Sequence, residues 1–133
     1  MRNVICGRCV KCGKEYAATP NLTNCECGGI LDIIYDYDYI RTVLTKEKLA
    51  ARQNNTMWRY RELLPVEETT PDTPLRVGWS PLYEADRLAA ILGVKKLWIK
   101  DDGQNPTASL KDRASAMAVA KAQEAGAKVI ACS

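Results

Sequence analysis

The sequence predicts an α/β protein in two parts, an N-terminal Cys-rich ribbon followed by an incomplete parallel-sheet βαβ region. Three observations lead there. Five of the six Cys fall within the first 30 residues. From residue 80 onward, helical and strand periodicities alternate. The chain then runs into Val129-Ile130-Ala131-Cys132, an apolar stretch of the kind buried on both faces of a parallel sheet. The expected divisions are a ribbon module over 1–38, a helical and extended linker packing on the main domain over 39–78, and a truncated catalytic domain over 79–133.

The ribbon reads as two knuckles. Cys6, Cys9 and Cys12 form CxxCxxC, and Cys25 and Cys27 form CxC ahead of Gly28-Gly29. A structural zinc takes four thiolates in a tetrahedron, and two tight turns supply two each, so Cys9, Cys12, Cys25 and Cys27 are the natural set. CxC is tighter than the usual CxxC, which leaves Cys6 as a spare ligand. It also leaves open the alternative that these are free thiols in a ribbon that folds without metal. A closed four-thiolate site offers substrate no open position, so it would be scaffold.

Ile30 to Tyr35 is β-rich, and Tyr35 to Tyr39 continues as alternating aromatic and acid, which predicts one strand. Tyr39 to Leu64 turns helical, and Pro65, Pro71 and Pro74 mark an extended connector. Ser80-Pro81 predicts an N-cap with Pro at N1, opening a helix over 81–92 that Gly93 ends. Lys96 to Lys100 alternates like a strand, and a second helix is expected over 110–125, before Gly126. Because a strand at 129–132 would need neighbours on both sides, the chain is expected to be a fragment of a longer protein. Its exposed apolar strand faces are expected to favour a homo-oligomer.

Composition removes whole classes of chemistry. The 133 residues contain no His, so no Ser-His-Asp or Cys-His pair and no His-ligated metal can form within this chain. Nineteen Lys plus Arg against 16 Asp plus Glu give a net charge of +3 without a basic block, which argues against nucleic acid and against a membrane surface. The start of the chain lacks an apolar signal core, so a reducing cytoplasmic setting is expected.

The sharpest functional signal is a lysine in the wrong place. Ser109-Leu110-Lys111-Asp112 fits a capping box, which puts Lys111 at N2. A cation there faces the positive end of the helix dipole, at a cost of roughly 0.3 to 1 kcal/mol. That field, with partial burial against Ala114 and Ala118, is expected to favour the neutral amine that attacks aldehydes. Lys111 is therefore the candidate Schiff-base lysine, against the ordinary alternative of a solvent-exposed helix lysine.

The string Asp101-Asp102-Gly103-Gln104-Asn105-Pro106-Thr107-Ala108-Ser109-Leu110-Lys111-Asp112-Arg113 resembles the lysine motif of fold-type II pyridoxal phosphate enzymes, commonly NPTGSFKDR after an acidic strand end. Gly78-Trp79-Ser80-Pro81-Leu82 resembles their G-x-[ST]-P-L segment. Trp58-Arg59-Tyr60-Arg61-Glu62-Leu63-Leu64-Pro65, following a Cys-containing ribbon, is similar to the N-terminal part of the threonine synthase family. Ala108 stands where the motif usually has Gly, and Leu110 where it has Phe.

The resemblance implies that Lys111 holds pyridoxal phosphate and moves protons for a lyase converting O-phospho-L-homoserine and water to L-threonine and phosphate. It places Ser109, Thr107 and Asn105 near substrate, and Asp112 and Arg113 in a helix cap and a structural ion pair. It also implies that most of the cofactor's anchoring lies outside these residues, so the chain alone is expected to be inactive. Other readings are a related enzyme acting on a phosphorylated amino acid (cysteate synthase-like), an amino-acid dehydratase, or a stand-alone zinc-ribbon interaction module.

Overall fold

A computed structural model describes residues 1–19 and 22–131. The ribbon is a three-stranded antiparallel sheet of β1 (Val4–Cys9), β2 (Glu15–Tyr16) and β3 (Leu31–Tyr35), in the order β2-β1-β3. Cys9 pairs with Leu31 and Val4 with Tyr35, with a bulge between Val4 and Cys6. The expected continuation of this strand to Tyr39 does not form. The Asp36 carboxylate accepts the Tyr39 amide at 2.8 Å, so the acid that looked like an outward strand position caps α1 (Tyr37–Val43) instead.

The helical stretch up to Leu64 is broken in two places by threonine caps. Thr45 caps α2 (Lys46–Ala51), and Thr56 caps a 3₁₀ helix over Met57–Leu63. This last segment supplies the core: Met57 and Trp58 pack with Val66, Val77, Ala116 and Ala120. Arg59, also buried, reaches the Leu49 carbonyl at 2.7 Å, and its guanidinium lies 4.0 Å from the centre of the Trp79 ring.

The second half departs most from expectation. Residues 81–92 are not one helix: Leu82–Glu84 form β4, and the helix α3 covers only Asp86–Leu92. The Ser80 hydroxyl, the expected cap, donates to Asp102 instead, and Leu82 pairs with Lys100 across β5 (Trp98–Lys100). That pairing is antiparallel, as is every strand pairing among the described residues, so the parallel βαβ unit is not formed. Val129 to Ala131 take no strand conformation, and Val129 is 83% exposed. A strand needs a partner for its amides and carbonyls, and among the described residues none lies beside this segment. Cys132 falls outside the described residues. Gly93 does end α3 in the left-handed conformation, with φ of 67°. No helix among the described residues is long and apolar enough to cross a membrane.

Helix α4 (Asp112–Glu124) buries Asp112, Ala116 and Ala120, a stripe at intervals of four residues. Its far end is tied to the linker, because the Glu124 carboxylate accepts the Glu67 amide at 2.7 Å and the Thr70 hydroxyl at 2.5 Å. Its near end is tied by Arg113, which donates to Asp102 from Nε at 3.0 Å and Nη2 at 2.8 Å. Asp102 also accepts from Ser80, so one carboxylate joins the 78–81 segment, the lysine loop and α4. Gly78 fits only as glycine. Its φ is +85°, and a Cβ there would lie 2.8 Å from the Met57 amide nitrogen and 2.9 Å from Arg113 Nη1.

The Arg113 guanidinium, followed by the Ser80 hydroxyl, holds the Asp102 carboxyl well below the usual carboxylate range. A carboxyl depressed in the folded state contributes stability above its unfolded pKa of about 3.9 and loses it as pH falls through the folded value. Asp102→Asn is therefore expected to cost roughly 1.5 to 3 kcal/mol of stability at pH 7, read as a lower melting temperature. It should also flatten the decline in stability below about pH 4, relative to the unmodified chain, in thermal scans across pH. Ala108 yields a second prediction, because its φ is +56°. Left-handed backbone costs a residue with a Cβ about 1 to 2 kcal/mol, whereas glycine's freer unfolded chain costs about 0.4 to 1. Ala108→Gly should accordingly stabilise the chain by roughly 0.5 to 1 kcal/mol in denaturant titration.

Candidate functional site

The four sulfurs of Cys9, Cys12, Cys25 and Cys27 all lie within 4.8 Å of one another. The Cys9–Cys27 and Cys12–Cys25 pairs are 3.6 Å apart. A tetrahedron with metal–sulfur bonds of about 2.3 Å has edges of about 3.8 Å, so the cluster is already near the size of a thiolate shell. Both knuckles are built alike. The Gly13 amide donates to the Cys9 carbonyl at 3.0 Å and the Gly28 amide to the Cys25 carbonyl at 2.8 Å, and both glycines have φ of +76°. Gly29 lets the two halves close, since a Cβ there would sit 2.6 Å from Cys9 Sγ. Cys6 is buried and stands outside the cluster.

The electrostatics of the group also favour a cation. The Tyr16 hydroxyl, then the Cys27 amide, pulls the Cys25 thiol down to about 6. The Gly29 amide acts to lower Cys27, but the Cys25, Cys12 and Cys9 sulfurs outweigh it and push that thiol up to about 12. Four sulfurs this close cannot all carry negative charge unaided, and a bound divalent ion removes the conflict. These residues could hold a metal.

The lysine loop is built from its own polar side chains. Asn105 is buried, accepting the Gly78 amide at 2.9 Å and donating to the Asp102 carbonyl at 2.9 Å. The expected capping box is replaced. Asp112 accepts from the Thr107 amide at 2.8 Å and the Thr107 hydroxyl at 2.5 Å, while Ser109 Oγ takes the Lys111 amide at 3.2 Å. The helix consequently starts later, with Lys111 at the N-cap. Lys111 is exposed, as are Ala114 and Ala118, so the partial burial expected for it is absent among these residues. The buried stripe of α4 runs through 112, 116 and 120 and leaves 111, 114 and 118 outside it.

Thr107, Ser109 and Lys111 converge on a groove of about 510 Å³, which Thr73, Val77, Ser115 and Val119 also line. It offers an amine, four hydroxyls, the Asp112 carboxylate and an apolar floor. Asn105, expected beside them, does not line it. The sequence reading missed Asp102, Tyr16 and Gly29. Gly29 left a signal in the Gly-Gly pair after the second knuckle, and Asp102 one in the acidic strand end of the lysine motif, whereas Tyr16 left none.

Comparison with known proteins bears on both parts of the chain. Residues 73–133 match the family of pyridoxal-phosphate dependent enzymes. The threonine synthase of Methanocaldococcus jannaschii is 44% identical over 125 residues, 94% of this chain and 31% of its own length. That of Methanosarcina acetivorans is 43% identical over 126 residues, 94% of this chain and 30% of its own. The cysteate synthase of Methanosarcina acetivorans is 30% identical over 132 residues, 92% of this chain and 28% of its own. No solved structure matches. The chain spans about a third of the length of the curated relatives it matches. It is a relative of the threonine synthases, and its residues 73–133 belong to the pyridoxal-phosphate dependent enzyme family.

Proposed function

We propose that the chain supplies the lysine and the metal-bearing ribbon of a threonine synthase-like lyase that uses O-phospho-L-homoserine and water to make L-threonine and phosphate. The observation that carries this reading is the groove where Lys111 meets Thr107 and Ser109, on a loop pinned through Asp102 and Asn105. An amine among hydroxyls suits pyridoxal phosphate, and Lys111, Ser109 and Ser115 would hold it. Bound there, the cofactor would supply an electron sink for the substrate's α and β carbons.

Lys111 does the protein's share of the work. Its amine, free of any ion pair among the described residues, can take a proton from a substrate carbon and return it. Thr107 has its hydroxyl committed to Asp112, so it orients the loop, while Ser109 is the hydroxyl nearest in sequence to the amine. The cysteate synthase relative favours a second reading, in which the same lysine serves another phosphorylated amino acid. Further parts of the proposal are a small-molecule substrate, no nucleic acid or membrane partner, a cytoplasmic setting, a homo-oligomer, and the divisions 1–38, 39–78 and 79–133.

In a protein carrying this chain at the length of its relatives, borohydride should fix one pyridoxal phosphate per chain at Lys111, as read by peptide mapping. Lys111→Ala should abolish that label together with phosphate release from O-phospho-L-homoserine. Labelling at another lysine would reject the assignment. Release with another phosphorylated amino acid only would favour the second reading.

The four thiolates are the part of the proposal that concerns zinc, held as a closed structural site by Cys9, Cys12, Cys25 and Cys27. Purified protein should carry close to one zinc per chain by elemental analysis. Cys12→Ser should release it, and so should Gly29→Ala, whose methyl would press on Cys9 Sγ. Metal-free protein whose melting temperature ignores chelators would reject zinc.

A further inference from the structure

The thiolate cluster makes one contact that neither knuckle accounts for. Tyr16 lies on β2, paired with Gly7 of β1, and its Oη is 3.0 Å from Cys25 Sγ. The Glu26 amide donates to the same oxygen at 3.4 Å. Thus one lone pair of the phenol is engaged and its hydrogen is free to point at the sulfur. A cysteine that ligates a metal has lost its proton and can only accept. The direction of the bond follows: amide to phenol oxygen, phenol hydrogen to thiolate, each link polarising the next. The ring is held from the side by Lys14, whose ammonium lies 5.2 Å from its centre and 2.7 Å from the Glu26 carboxylate. Tyr16, Glu26 and Lys14 therefore form a brace around the second knuckle.

We propose that Tyr16 is a positioning residue of the metal centre, donating its hydroxyl to the metal-bound Cys25 thiolate and anchoring the tight Cys25–Cys27 knuckle to the sheet. This rests on the reading of the cluster as a metal site. The first knuckle has two residues between its ligands and the second only one, so the second has less freedom to orient its sulfurs. A hydrogen bond from outside the knuckle fixes the Cys25 sulfur and draws charge from it.

Tyr16→Phe deletes the oxygen and keeps the ring, so the packing with Lys14 survives. Loss of an outer hydrogen bond of this type lowers metal affinity about 10- to 100-fold. It also raises the energy of the sulfur lone pairs, which shifts the sulfur-to-cobalt charge-transfer band of Co²⁺-loaded protein to longer wavelength. The experiment compares unmodified chain and Tyr16→Phe by cobalt spectra and by zinc competition against a chromophoric chelator. The expected result is both a red shift and a loss of affinity of about 10- to 100-fold. An affinity loss with an unmoved band reduces Tyr16 to packing and overturns the proposal, as does no change in either quantity. If the unmodified chain gives no tetrahedral cobalt spectrum, the metal reading itself fails and this inference falls with it.

Discussion

The Asp102 carboxylate is the point on which the second half of the molecule depends. It accepts from Arg113 on α4 and from Ser80 ahead of β4, while its own backbone carbonyl accepts from Asn105. Asn105 in turn holds the Gly78 amide, and the Gly78 backbone lies against Met57 and Arg113 too closely for any side chain. Three segments far apart in sequence thus meet at one charge. A partly buried carboxylate with a guanidinium on one side and a hydroxyl on the other is favourable only while all are present, so the segments are fixed together.

The parts of this fold legible in the sequence were those set by local chemistry. Two Cys knuckles with glycines after them, a left-handed Gly93 ending α3, and a long helix ending before Gly126 all depend on neighbours within a few residues. The misread elements were decided at a distance. Ser80 has the appearance of a helix cap, yet Asp102, 22 residues away, takes its hydroxyl. Leu82–Glu84 look helical until β5 offers them a partner. Asp36 shows the reverse, a local cap that overrode a plausible period-two pattern. In the candidate site, Lys111, Thr107 and Ser109 were expected from the motif and line one groove, and the four sulfurs expected from spacing lie together. Tyr16 was invisible, because nothing in Lys14-Glu15-Tyr16 announces that the phenol will reach a sulfur nine residues on.

The ribbon is joined to the rest through the segment before its first strand and through the linker. Asn3 Nδ2 donates to the Glu62 carbonyl at 3.0 Å and the Leu64 carbonyl at 2.8 Å, satisfying the end of the 3₁₀ helix that carries Met57 and Trp58. Those two residues pack against Ala116 and Ala120 of α4. A side chain adjoining β1 therefore supports the segment on which α4 rests. A distortion of the thiolate cluster has a physical route toward α4 through β1.

The position of Lys111 resolves the conflict that its sequence context posed. At N2 a cation would oppose the helix dipole, but α4 begins later, with Asp112 in its first turn. Asp112 turns its carboxylate back to Thr107 and closes the loop in front of the helix. The acid thus occupies the place where negative charge is favoured, and Lys111 is displaced one step outside. Its backbone is held, by Ser109 on one side and the start of α4 on the other, while its side chain stays exposed. A fixed root with a free amine is the arrangement a lysine needs if it is to form a bond to a carbonyl group and then carry protons between neighbouring carbons. The strain at Ala108 belongs to the same device, since the left-handed turn at 108 reverses the chain so that Thr107 can face Asp112.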